Sequence, residues 1–120
     1  MKRTLILGAS PNPERYAFKA TTMLAEHNHP VFPVGLRTGE INGHQILTDR
    51  PVVENIDTVT LYLGPQNQPD YYDYIINQIA PKRIIFNPGT ENQELVNLAV
   101  AKNIETEVAC TLVLLSINQY

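Results

Sequence analysis

The stretch Thr4-Leu5-Ile6-Leu7-Gly8-Ala9-Ser10-Pro11-Asn12-Pro13-Glu14-Arg15-Tyr16 leaves few folds open to this chain. Thr4 to Leu7 is aliphatic or β-branched at every position, which suits a parallel strand covered on both faces. Gly8, Ala9 and Ser10 are small enough for another group to approach the backbone closely. Pro11 or Pro13 then opens a helix, with Ser10 or Asn12 as its N-cap. A helix N-terminus directly after a central strand presents free N–H groups and the positive end of a dipole, the requirements of a phosphate site. The turn has one glycine where the dinucleotide fingerprint has three, so a plain strand-to-helix packing turn also fits. Arg15 and Lys19 add positive charge beside it or are simply solvated.

The rest of the chain alternates strands and helices. A helix runs from Pro13 to about His27, with Tyr16, Ala20, Met23, Leu24 and His27 on one stripe. Val31 to Val34 is a short strand whose Pro33 limits pairing on one side or marks the strand's end. Asn42-Gly43 makes a turn. Thr58 to Leu63 is a buried strand running into the tight turn Gly64-Pro65-Gln66. Asn67 caps the next helix, with Pro69 and Asp70 in its first turn and Pro81 ending it. Arg83 to Phe86 is a strand, Asn87-Pro88-Gly89-Thr90 its exit loop, and Thr90 to Gln93 a capping box for a further helix. Glu105 to Val108 is the last strand and Cys110 to Ile117 a closing helix. This order predicts an α/β fold: a doubly wound, mostly parallel Rossmann-like sheet with helices on both faces, in one domain over residues 1–120. Its strand-exit loops, 8–13, 64–67 and 87–90, converge at the crevice where such sheets bind ligands.

Composition narrows the function. Hydrophobic residues make up 43% of the 120, which indicates a packed core rather than disorder. The net charge is −3, with no basic run, so nucleic acid and membrane surfaces are poor partners. The apolar run after Met1-Lys2-Arg3 stops at Gly8, too short for a signal peptide, and no stretch approaches a membrane span. The one cysteine, Cys110, cannot form an internal disulfide, and a cytoplasmic setting is expected. His27 and His29 lack acidic or thiol companions, so no metal is expected. No catalytic triad, Walker loop or nucleophile elbow is present, and no catalytic residue is assigned. Cys110, near a helix start, is either a small packing residue or a thiol open to a mixed disulfide. Where a Rossmann unit often ends its second strand with an acid for the ribose, this chain has Gly35, Leu36 and Arg37. A cation there suits a phosphorylated ribose, as in NADP or coenzyme A, or is an exposed loop arginine.

The stretches Leu7 to Tyr16, Val34-Gly35-Leu36, Val59 to Leu63, Ile85 to Asn92 and Ala109 to Val113 together resemble the small single-domain CoA-binding proteins of the Rossmann type. These are similar to the CoA-binding domain at the start of the succinyl-CoA synthetase α subunit. The resemblance implies a coenzyme A site. Gly8, Ala9 and Ser10, with Asn12 and Arg15, would meet the diphosphate. Gly35 and Arg37 would face the 3′-phosphate. Gly64 and Pro65 would pass the adenine or pantetheine arm, and Asn87, Pro88, Gly89 and Thr90 would line the other side. The synthetase's phosphohistidine belongs to a second domain with no counterpart in these residues, so a ligand class is implied rather than a reaction. The leading reading is a CoA- or acyl-CoA-binding, non-catalytic or accessory module. An NADP-binding small oxidoreductase or sensor is the alternative, and an interaction module of an acyl-CoA enzyme a third. A homodimer or an acyl-CoA enzyme is the expected protein partner. On this reading Gly8→Val abolishes binding in a protein that stays folded, because the added branch fills the phosphate's space.

Overall fold

A computed structural model describes residues 1–120. A five-stranded parallel sheet runs through it, built from β1 (Thr4–Leu7), β2 (Val31–Val34), β5 (Thr58–Leu61), β6 (Arg83–Phe86) and β7 (Glu105–Val108). The hairpin β3 (Glu40–Ile41) and β4 (His44–Gln45) turns at Asn42-Gly43, both at positive φ, as the sequence predicts. The helices are α1 (Tyr16–Glu26), α2 (Gln93–Ala101) and α3 (Thr111–Ser116). The sheet order β2-β1-β5-β6-β7 is that of a doubly wound fold whose direction of winding reverses beside β1.

Burial follows strand position. Every residue of β1, β5 and β6 is buried, matching their apolar or β-branched character, except that β6 opens with Arg83, whose guanidinium is held by Thr58 and Glu107. Pro33 is tolerated because β2 lies at the sheet edge, where Leu47 N donates to the Pro33 carbonyl at 2.8 Å. The pairs Leu7–Val34, Leu7–Leu61, Leu61–Phe86 and Phe86–Val108 are in register. Four strand-exit loops therefore leave the sheet at one level. Two cores flank the sheet. Ile6, Ala17, Leu24 and Leu115 pack on the α1/α3 face, and Leu5, Val59, Ile75, Ile84, Leu95 and Ala99 on the other. Helices thus cover both faces.

Four local expectations need correction. The first helix begins at Tyr16, with Arg15 as an N-cap lacking any side-chain bond. Ser10 and Asn12 instead tie down their own loop: Asn12 N donates to Ser10 Oγ at 3.1 Å, and Glu14 N to Asn12 Oδ1 at 3.0 Å. With the start moved, the buried face is Ala17, Ala20, Thr21 and Leu24, while Tyr16 is 67% exposed. Asn67 does not cap a continuous helix. Residues Pro65–Asn67 and Pro69–Tyr71 form separate 3₁₀ turns, and a π-helical segment Tyr74–Ile79 follows. Pro69 would clash with the carbonyl four residues earlier in a single α-helix. The capping box at Thr90 is not formed either. Thr90 Oγ1 donates to the Asn87 carbonyl at 2.7 Å, and Asn92 is the cap of α2.

Two glycines are demanded by close backbone approach. A Cβ on Gly35 would stand 2.2 Å from the Ala9 carbonyl oxygen. Gly8, at φ +100°, would aim a Cβ at the Tyr62 backbone, 3.0 Å away. The side chain of Gly8→Val would therefore enter the β1–β5 junction rather than the ligand's space, which replaces the expectation of a folded, non-binding variant. Both Gly8→Val and Gly35→Ala are expected to destabilise the fold, by about 3 kcal/mol or more. Urea unfolding checks this through the midpoint; an unchanged midpoint for Gly35→Ala would contradict the packing described.

His29 gives a pH signature. Its Nδ1 accepts from Lys2 N at 3.0 Å, which requires that nitrogen unprotonated. Burial, then the positive chain amino group and Lys2, lower its pKa below the usual histidine value. The unfolded chain thus binds the proton more readily, and stability falls as pH drops through and below about 6.5. His29→Gln should flatten this part of the stability–pH curve; an unchanged slope would remove His29 from it.

Candidate functional site

The four exit loops enclose one open cleft of about 480 Å³, a size typical of small-molecule sites. It lies over β1 and β5, where the sheet's winding reverses. Of the residues singled out from sequence, Gly8, Ala9, Ser10, Asn12, Arg15, Gly35, Arg37, Gly64, Pro88, Gly89 and Thr90 line it. Pro65 and Asn87 do not. Pro65 is exposed outside the wall, at the start of its 3₁₀ turn. Asn87 is buried and fully engaged: its Nδ2 donates to Thr60 Oγ1 and the Leu61 carbonyl, and its Oδ1 accepts from Thr111 N. It serves as a remote cap for α3.

Tyr16, Leu36, Tyr62, Leu63 and Tyr71 also line the cleft and were missed. Their positions immediately around the predicted turns were the available signal. Tyr62 continues the line of β5, and its buried hydroxyl has no hydrogen-bond partner. Burial pushes its pKa up, so it stays a neutral phenol.

The first turn is held by a single carbonyl. Val34 O accepts from both Gly8 N and Ala9 N, each at 2.9 Å. Beyond it, the amides of Ser10, Tyr16 and Ala17 find no acceptor within the protein. Helix α2 differs: Asn92 Oδ1 accepts from Glu94 N and Leu95 N, closing its own end. α3 has no side-chain bond from its own N-cap either, but it is the N-terminus of α1, at Arg15, Tyr16 and Ala17, that lies in the cleft wall. Arg15 and Arg37 are exposed there without an ionic partner, and no acidic residue lines the wall. In a chain of net charge −3 this is a local concentration of positive potential. The arrangement suits a phosphorylated ligand.

A buried amide sets the spacing of the far walls. Gln68 is fully buried, and its Nε2 donates to the Leu63 carbonyl at 2.9 Å and the Thr90 carbonyl at 2.8 Å. Its Oε1 accepts from Asn92 Nδ2, which also donates to the Tyr72 hydroxyl, both at 2.8 Å. One side chain thus joins the loops after β5 and β6. Gln68→Leu should cost about 3 kcal/mol by stranding these groups, read from urea unfolding. Gln68→Glu should also destabilise, because a carboxylate cannot donate to two carbonyls. Protonation supplies a donor, which raises the folded-state pKa. Stability should then be regained at acid pH and lost as pH rises through that raised value. A pH-independent loss would contradict the donor role.

Comparison with known proteins follows from this geometry. An uncharacterized protein of known crystal structure is 51% identical, over 100% of this chain and 98% of its own, with a TM-score of 0.96. A hypothetical protein from Pyrococcus horikoshii OT3 is 27% identical, over 93% and 80% of the two chains, with a TM-score of 0.81. A protein from Thermus thermophilus, 20% identical over 99% and 90%, has a TM-score of 0.84 and shares the fold. No curated protein matches the sequence. The CoA binding domain family model matches residues 2–116, and the chain belongs to that family.

Proposed function

We propose that the cleft holds coenzyme A or an acyl-CoA, and that the chain acts as a binding or accessory module in the cytoplasm. The observation that carries this is the uncapped N-terminus of α1 opening beside Arg15 and Arg37 in a wall without acids. The diphosphate would sit on the amides of Ser10, Tyr16 and Ala17, with Arg15 alongside. Arg37, after β2, would meet the 3′-phosphate. The pantetheine arm would then cross Tyr62 to Gly64 and run toward Pro88, Gly89 and Thr90. Family membership supports the ligand class.

NADP is the competing ligand, since its 2′-phosphate would also meet Arg37. Calorimetry with coenzyme A, 3′-dephospho-CoA, NADP and NAD separates the two. Binding of coenzyme A in preference to NADP supports the proposal; binding of NADP alone overturns it. Arg37→Ala should weaken coenzyme A about tenfold and leave 3′-dephospho-CoA nearly unchanged. Equal losses for both would take Arg37 away from the 3′-phosphate.

A further inference from the structure

The cleft carries two separate groups of unbonded donors, and only one of them stands beside lining cations. The first is the start of α1, with Arg15 and Arg37. The second lies at the β5–β6 end, where Leu63, Gly64 and Tyr71 line the wall. Thr58 N and Tyr62 N donate toward β1, to the Arg3 and Leu7 carbonyls. Successive amides of a strand point to opposite edges, so Leu63 N faces β6. The Asn87 carbonyl there is turned to Thr90, accepting its amide at 3.0 Å and its hydroxyl at 2.7 Å, and Leu63 N is left without an acceptor. Gly64 N has none either. Tyr71 is 8% exposed, and its hydroxyl, which bonds to no protein group, stays open to solvent. The Arg50 guanidinium covers the Tyr71 ring, 3.9 Å from its centroid, and its Nη1 donates to the Asp70 carbonyl. Tyr71 is thus held from behind, while Arg50 itself does not line the cleft.

We infer that this second donor group receives the thioester carbonyl oxygen of an acyl-CoA, so that the cleft prefers acyl-CoA to free coenzyme A. This rests on the coenzyme A reading above. Coenzyme A carries all its phosphate on the nucleotide half. Placing that half against Arg15 and Arg37 sends the sulfur toward Leu63, Tyr71 and Pro88. Two amides and a phenol with no cation in the wall beside them suit a neutral oxygen acceptor. A free thiol offers them only a weakly accepting sulfur, whereas a thioester adds a carbonyl oxygen with two lone pairs. The acyl chain beyond the carbonyl meets the apolar parts of Leu63 and Pro88. Water serves the same donors when the ligand lacks a carbonyl, so the preference is moderate.

Calorimetry with coenzyme A, butyryl-CoA and the thioether S-butyl-CoA tests this. The last two have chains of equal carbon number and differ only in the carbonyl. Butyryl-CoA should bind about tenfold more tightly than S-butyl-CoA. Tyr71→Phe keeps the ring against Arg50 and removes only the hydroxyl. It should shrink that gap to about threefold and leave coenzyme A and S-butyl-CoA within about twofold of their original affinities. In amide spectra of the ¹⁵N-labelled protein, Leu63 and Gly64 should differ most between the butyryl-CoA and S-butyl-CoA complexes. Equal binding of these two ligands, or a gap that Tyr71→Phe leaves at full size, overturns the inference while the coenzyme A reading stands. So does an equal loss of all three ligands in Tyr71→Phe, which would give the donors to the pantetheine arm. Failure of all three ligands to bind the unmodified protein overturns the coenzyme A reading, and the inference with it.

Discussion

The contact between the turns after β1 and β2 is the constraint on which the cleft depends. Val34 O takes the amides of Gly8 and Ala9, and the Ala9 carbonyl lies against Gly35 where no side chain fits. This locks the first turn to the edge strand. It also fixes where Ser10 stands and how the chain reaches Tyr16. The arginines at 15 and 37 then fall on one side of the crevice because their loops are joined at the root. A sheet with parallel register delivers four loops to one level, and this contact orients the two that carry positive charge.

Capping chemistry distributes the roles of the helices. α2 satisfies its first amides with Asn92, and α3 has Thr111 N taken by Asn87. α1 alone keeps amides open at the cleft, since Ser10 and Asn12 spend their side chains on the preceding loop. An open helix end in water is solvated and tolerable, whereas one in a crevice beside arginines is suited to an anion. The polar side chains at the far walls do the opposite work. Gln68, Asn92 and Thr90 consume one another's donors and acceptors, which holds the walls apart while leaving that end uncharged.

Strands were legible in the sequence because they carry a plain signal. Thr4–Leu7, Val31–Val34 and Ile84–Phe86 of β6 occupy the residues that apolar and β-branched runs mark, while the edge strand Glu105–Val108 carries a weaker signal, glutamates alternating with Thr106 and Val108. The cleft was legible for the same reason, since small and proline-bearing turns follow those strands. Helix starts were not. Ser10, Asn12 and Thr90 have the chemistry of caps, yet each closes a local turn, a competition that residue type alone does not decide. Asn87 was hidden because its partners, Thr60 and Thr111, are far away in sequence and meet it only in the folded sheet. Tyr16 and Leu36 read as core or loop residues, and only the placement of their turns puts them on the cleft wall.

The most direct test is an amide chemical-shift titration of the ¹⁵N-labelled protein with coenzyme A. Phosphate seated on the open end of α1 predicts the largest shifts at Ser10, Tyr16 and Ala17, with smaller ones at Arg37 and Gly64. Little change is predicted at Glu94 and Leu95, whose amides are already bonded to Asn92. Saturable binding with its largest shifts at the start of α2, or away from the cleft altogether, would contradict the site. No shift at any ligand concentration would contradict the function.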